Sequence, residues 1–261
     1  MNILAIDTTG RAVSAALANE EALLGEIFIN GAQNHSVTLM PMIKQLLDST
    51  GMKTADLTHI ACASGPGSFT GLRIGAGTAK ALAYALDIPI VAVPTLDALA
   101  YNVFDAQLTI IPIMDARRRQ VYTAFYEREP DTRSLVRRSD YMAEDIADVL
   151  KILSGYAKPA VFLGDAVSVY KDDIINNRFN IEYLFAPLPA LLQRASSVAG
   201  LALRLASEGM VTDCEGFAPF YLRKSQAERE RDRVSGQTGH ERRGVYNDCH
   251  NGNADVGAIN G

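Results

Sequence analysis

Residues 57–86 read LTHIACASGPGSFTGLRIGAGTAKALAYAL, and the rest of the chain is organised around them. Residues 59–64 form a short apolar run ending in small side chains, the pattern of a buried strand. Residues 64–71 are a turn, because glycine reaches backbone angles closed to other residues and Pro66 fixes its own φ. From Leu72 onward the chain is rich in Ala and Leu, with no proline before Pro89, which predicts a helix. A strand, a glycine turn and a helix can offer backbone N–H groups to an anion at the helix N-terminus. The same layout lets a helix pack closely on a sheet. The turn lacks the Gly-Lys-Ser/Thr ending of a Walker loop, and Ser68 does not sit in the Gly-x-Ser-x-Gly of a hydrolase elbow. Close packing is the plainer use of its glycines.

Strands and helices spread outward from that stretch. Residues 2–7 are an apolar strand closed by Asp7-Thr8-Thr9-Gly10, and strand-like runs follow at 12–18 and 23–29. Ser36 is the expected cap of a helix reaching about Ser49. Leu39, Met42, Ile43, Leu46 and Leu47 recur on one face of it, and Val37 and Met40 widen that face. Pro41 inside this run implies a late start or a kink. After the glycine turn and its helix come a strand at 88–93 and a short helix to about residue 102. A second unit opens near residue 106, with strands expected at 109–114, 120–126 and 135–141, a helix at 144–153 and a strand at 160–164. A long helix is expected at 191–207. The order strand, strand, strand, helix, strand thus occurs twice, in an α/β chain. The expected domains are 1–104 and 105–224, with the last helix packing back on the first. Residues 225–261 are polar, charged and glycine-containing, with too little apolar surface to offset ordering, and read as disordered.

Composition narrows the function. A net charge of −5 makes unaided nucleic-acid binding a poor prospect. Three scattered cysteines fit a reducing, cytoplasmic setting better than a disulfide framework. No apolar run approaches the roughly 20 residues of a membrane span, and the opening strand leaves no room for a signal peptide.

The candidate chemistry is sparse. Asp7, Thr8 and Thr9 end the first strand, and Asp115 stands at the corresponding place in the second unit. Two such strand ends facing one another suit a metal-bound phosphate in a nucleotide cleft, whereas ordinary turn bonding of Asp and Thr side chains to nearby backbone is the simpler explanation. Gly164-Asp165-Ala166 is a weak stand-in for an adenosine loop. His35 has no second histidine at ligand spacing, so no metal site is expected. Cys62 lies in a strand and reads as core. No nucleophile–base pair supports a peptidase. Arg117, Arg118 and Arg119, with Arg133, Arg137 and Arg138, are the only positive concentration, suited to an acidic partner, a nucleotide or RNA, although a solvated hairpin face is the plainer reading. The helix after the glycine turn is small or apolar nearly all round, which requires cover on more than one side.

Three segments carry a family resemblance: the opening ILAIDTT (3–9), HSVTLMPMI (35–43) and above all SGPGSFTGLRIG (64–75). Asp115-Ala116-Arg117-Arg118 and the closing Tyr221-Leu222-Arg223 fit the same pattern. Over about residues 1–230 the chain resembles the bacterial TsaB family, also called YeaZ. The resemblance implies an actin-like fold of two similar subdomains, as in sugar kinases, heat-shock proteins and actin. It implies a part in making threonylcarbamoyladenosine at position 37 of tRNAs, in which a separate enzyme makes threonylcarbamoyl-AMP. A related subunit, TsaD, transfers the group, and a small ATPase, TsaE, joins the complex. TsaD holds its metal with a His-x-x-x-His pair on the helix matching residues 36–49, whereas in this chain only His35 stands near. The resemblance therefore implies a scaffold with no catalytic centre, metal or cofactor of its own, with ATP or ADP at the junction with TsaE and tRNA reached through the complex. The expected partner contact is Leu39, Met40, Ile43, Leu46 and Leu47 with Ile74 and Leu82, a patch also suited to a homodimer. The rival is an ATPase or kinase using Asp7, Thr8 and Asp115.

Overall fold

The computed structural model describes residues 1–31, 34–176 and 181–223. The expected disorder of 225–261 falls outside them. Strand β1 (Asn2–Asp7) is buried along almost its whole length, because helices cover both faces of its sheet. Its alternation assigns the two sides: Leu4 and Ile6 enter one core, Ile3 and Ala5 the other. β1 pairs antiparallel with β2 (Ala12–Asn19), which pairs with β3 (Leu23–Asn30). On its other side it pairs parallel with β4 (His59–Gly65), and β4 with β5 (Ile90–Pro94). The order is β3-β2-β1-β4-β5.

Helix α1 (His35–Thr50) lies on the Leu4–Ile6 side together with α2 (Phe69–Leu86). Asn34, not Ser36, caps α1, its side chain accepting from the Ser36 N–H. Pro41 stays inside the continuous helix, on the exposed side. α2 begins at Phe69, three residues before the expected start, because Ser68 caps it through the Gly71 N–H. The short α3 (Thr95–Ala100) leads into the second sheet.

That sheet repeats the arrangement. Its strands are β6 (Thr109–Asp115), β7 (Gln120–Thr123), β10 (Met142–Asp145), β11 (Ala160–Leu163) and β12 (Tyr183–Phe185), in the order β10-β7-β6-β11-β12. Read as first to fifth strand, both sheets run 3-2-1-4-5. Two short strands, β8 (Tyr126–Arg128) and β9 (Leu135–Arg137), form a side hairpin on β6. The single strand expected at 120–126 is thus two, because the Phe125 N–H turns to the Ser139 hydroxyl. The run at 135–141 stops after β9, where the Arg138 N–H reaches back to the Phe125 carbonyl.

Helix α4 (Ile146–Leu153) and helix α5 (Val167–Ile175), the latter not anticipated from sequence, line one side of this sheet. α3 lines the other. After the one-turn α6 (Leu188–Leu191), helix α7 (Ala195–Ser207) returns to the first sheet and covers its Ile3–Ala5 side. It starts four residues later than the sequence suggests. Glu26 of β3 accepts from the Ser196 N–H and hydroxyl and pairs with Arg194, capping α7 from outside. Met1–Tyr221 form one compact unit.

Candidate functional site

The first strands of the two sheets end at Asp7 and Asp115, so the candidate residues sit at equivalent strand ends. Asp7, Thr8 and Thr9 are buried. Asp7 Oδ1 accepts from the Thr9 N–H (2.8 Å) and the Thr9 hydroxyl (2.7 Å). Its Oδ2 is buried with no hydrogen-bond partner. Burial raises the Asp7 carboxyl to about 6, the negative charge of Asp165 adds to the rise, and the bonds from Thr9 oppose it.

The glycine turn packs on this strand end. An added Cβ at Gly71 lies 2.0 Å from the Thr8 carbonyl oxygen, and one at Gly67 lies 2.6 Å from that of Thr9. The Thr8 hydroxyl donates to the Gly71 carbonyl (2.7 Å), and the Ser68 N–H donates to that of Thr9 (2.7 Å). From the other side, the Phe220 N–H donates to the Ser64 carbonyl (2.7 Å). Gly65, at φ 123°, faces the Phe220 carbonyl oxygen with 2.1 Å left for a Cβ. The space around these glycines is taken by the chain's own backbone. These residues do not fit a metal-bound phosphate: the hydroxyls and N–H groups named are engaged within the protein, and the free oxygen of Asp7 is closed to solvent.

Asp115 is partly exposed; its Oδ1 accepts from the Arg117 N–H (2.8 Å). Its own N–H donates to Asp165 Oδ1 (3.2 Å). Asp165 thus stands between the two expected acids. Its carboxyl is raised, first by burial and then by the charge of Asp115. The sequence offers Asp165 only as part of a weak adenosine loop. Gly164 instead lets β11 meet β6, with an added Cβ 2.0 Å from the Ile113 carbonyl oxygen. Among the described residues no group of three or more His, Cys, Asp or Glu suits a metal ion. Cys62 is core, and burial pushes its thiol up.

The expected partner patch needs correction. Leu39, Ile43, Leu46 and Leu47 are buried against the first sheet, and Ile74 and Leu82 are only partly exposed. These side chains form the chain's own core, because α1 has one broad apolar face and the sheet takes it. Met40 alone of the set is exposed, at 47%, next to Val37 at 66%. On α2 the outward line is Thr70, Arg73, Gly77, Ala81 and Tyr84. Tyr84, 80% exposed, is a surface residue that sequence reasoning missed. The inward glycines of α2 carry the signal: Gly71 and Gly75 face Thr8, so residues half a turn away face out.

Two sheets of identical order, each with helices on both sides and an acidic residue ending its first strand, define an actin-like protein. A family model described as TsaD, tRNA N6-adenosine threonylcarbamoyltransferase, matches residues 23–231. The chain is 38% identical to the tRNA threonylcarbamoyladenosine biosynthesis protein TsaB of Bacillus subtilis over 231 residues, 87% of this chain and 96% of that one. It is 29% identical to the protein of the same name from Escherichia coli, with the same coverage. The structure of YeaZ from Pseudomonas aeruginosa superposes with a TM-score of 0.70 at 25% identity, over 85% of this chain and 99% of that one. A further Pseudomonas aeruginosa structure, described as similar to peptidase YeaZ, gives 0.72 at 26% identity over the same shares. The chain belongs to the TsaB family. No described helix is long and apolar enough to cross a membrane.

Proposed function

We propose that this chain is a non-catalytic subunit in the formation of tRNA threonylcarbamoyladenosine. It docks a TsaD-type transferase through the exposed side of α1 and α2, and the pair is joined by a TsaE-type ATPase. ATP or ADP belongs at that junction, and tRNA is reached through the complex. The observation that carries the reading is the self-filled glycine turn: Thr8, Thr9 and Phe220 occupy the space beside the first strand's end, where a nucleotide phosphate would have to sit. A neighbouring helix pair meanwhile leaves Val37, Met40 and Tyr84 in solvent. The names of the relatives support the pathway, and the TsaD model's match supports a shared fold between the two subunits.

The rival, an ATPase using Asp7, Thr8 and Asp115, draws on the unpartnered Asp7 oxygen. It requires the turn to open and expose that oxygen.

The docking experiment is a calorimetric titration of the TsaD-type subunit with Met40→Glu and Tyr84→Glu. Each places a charge on an exposed site, so the monomer melts as before while affinity falls at least about tenfold. Leu46→Glu instead buries a charge in the core, costing several kcal/mol, and unfolds the monomer. Unchanged affinity in both surface variants would reject the α1–α2 face. The same face is also suited to a homodimer when the TsaD-type subunit is absent, which light scattering reads directly.

A further inference from the structure

The β6–β7 turn holds three consecutive non-glycine residues in the left-handed region: Arg117 at φ 65°, Arg118 at 57° and Arg119 at 63°. Side chains with a Cβ avoid this region, and where they enter it they do so singly. A glycine or Asn-Gly turn would relieve the conflict. A run of strained residues that keeps its long cationic side chains points to a use for those side chains.

The three arginines differ in what they meet. Arg117 pairs with Asp115 (3.5 Å). Arg119 pairs with Asp173 (2.8 Å) and Asp145 (3.7 Å), and its carbonyl accepts from the Ile146 N–H at the start of α4. The Gln120 N–H closes the turn onto the Arg117 carbonyl. Arg118, at the tip, is exposed and makes no ion pair among the described residues. The turn is therefore a braced mount for the guanidinium at its tip. Asp115 is paired with Arg117, and Asp145 and Asp173 with Arg119, so the cation left over at the tip is the Arg118 guanidinium. Its planar fork matches the oxygens of a phosphodiester.

We propose that Arg118 contacts a backbone phosphate of the tRNA when the chain is in its complex, an inference that rests on the function proposed above. One guanidinium does not bind RNA unaided on a net acidic chain. It adds one phosphate contact to a surface completed by the partner subunits.

The test uses the assembled complex, with TsaD-type and TsaE-type subunits from one organism, and unmodified tRNA in a fluorescence anisotropy assay across a salt series. Arg118→Gly relieves the strained backbone, so the isolated chain melts higher, by about 2–4 °C. The same variant weakens tRNA binding several-fold and lowers the slope of log affinity against log salt by about one. Arg118→Lys keeps the slope. Affinity for the TsaD-type subunit is unchanged in both variants. An Arg118→Gly complex with the wild-type salt slope overturns the inference. Loss of TsaD affinity with an intact tRNA slope overturns it too, and assigns Arg118 to a protein contact. If the wild-type complex forms but does not bind tRNA, this inference fails while the docking face stands. If the wild-type chain does not join the complex, the functional reading fails first.

Discussion

Asp7 is a buried acid with one oxygen held by Thr9 and the other left without a partner. Its charge is therefore a cost to folding rather than a contribution. The sign is definite. Burial raises its carboxyl from 3.8 to about 6, so the folded chain binds the proton more tightly than the unfolded one. Stability falls as pH rises through that interval, and the full cost is present above it. A shift of about two units corresponds to roughly 3 kcal/mol at neutral pH. Asp7→Asn keeps an acceptor for Thr9 and removes the charge. It is expected to raise the melting temperature at about pH 7.5 and to leave it nearly unchanged at about pH 4. Equal melting shifts at both values would contradict this role for the residue. An acid ending the first strand is readable from Ile6-Asp7-Thr8. Its burial is not, because the groups that surround it come from distant segments, such as the loop carrying Asp165 and the glycine turn of α2.

Among elements, α2 shows why some of its glycines are needed and one is not. Gly71 and Gly75 touch Thr8 at distances that leave no room for a methyl group. At Gly77 nothing lies within 4 Å of an added Cβ. Gly71→Ala is accordingly expected to destabilise the chain by several kcal/mol, since backbone would have to move. Gly77→Ala is expected to stabilise it by about 1 kcal/mol through helix propensity. If α2 lies against a partner helix, Gly77→Ala also weakens the complex, so the two measurements move in opposite directions. Thermal melts and a titration with the TsaD-type subunit read both. A destabilised Gly77→Ala monomer would contradict the packing described. The elements most visible in sequence are those with long runs, namely β1, β4, α1 and α2. α5 is not legible there, and α7 begins late because its cap is Glu26, 170 residues away in the chain. The run at 120–126, which yields β7 and β8, misleads because the Phe125 N–H leaves the ladder for the Ser139 hydroxyl and ends a stretch that alternates well.

At the scale of the molecule, the chain repeats one sheet order twice and closes the junction of the first strand and the glycine turn with its own backbone. The repeat is legible as two series of strand, strand, strand, helix, strand, except that the third strand of the second sheet is β10 at Met142–Asp145, while the run read as that strand, 135–141, supplies β9 of the side hairpin. The closure is not, because Phe220 reaches the glycine turn from 155 residues further along the chain than Gly65. The partner patch misleads for a related reason. Apolar spacing on α1 marks a buried face equally well whether a sheet or another protein covers it, and in this fold the sheet covers it. In the proposed role the chain supports chemistry performed elsewhere. The deciding experiment is threonylcarbamoyl transfer to tRNA with the TsaD-type and TsaE-type subunits and the adenylate-forming enzyme, with and without this chain. Product is expected only when the chain is present, and in equal amount from a chain with Asp7→Ala and Asp115→Ala together. A double variant that still binds the TsaD-type subunit but gives no product would mean that these acids hold nucleotide or do chemistry, and would contradict a purely supporting role.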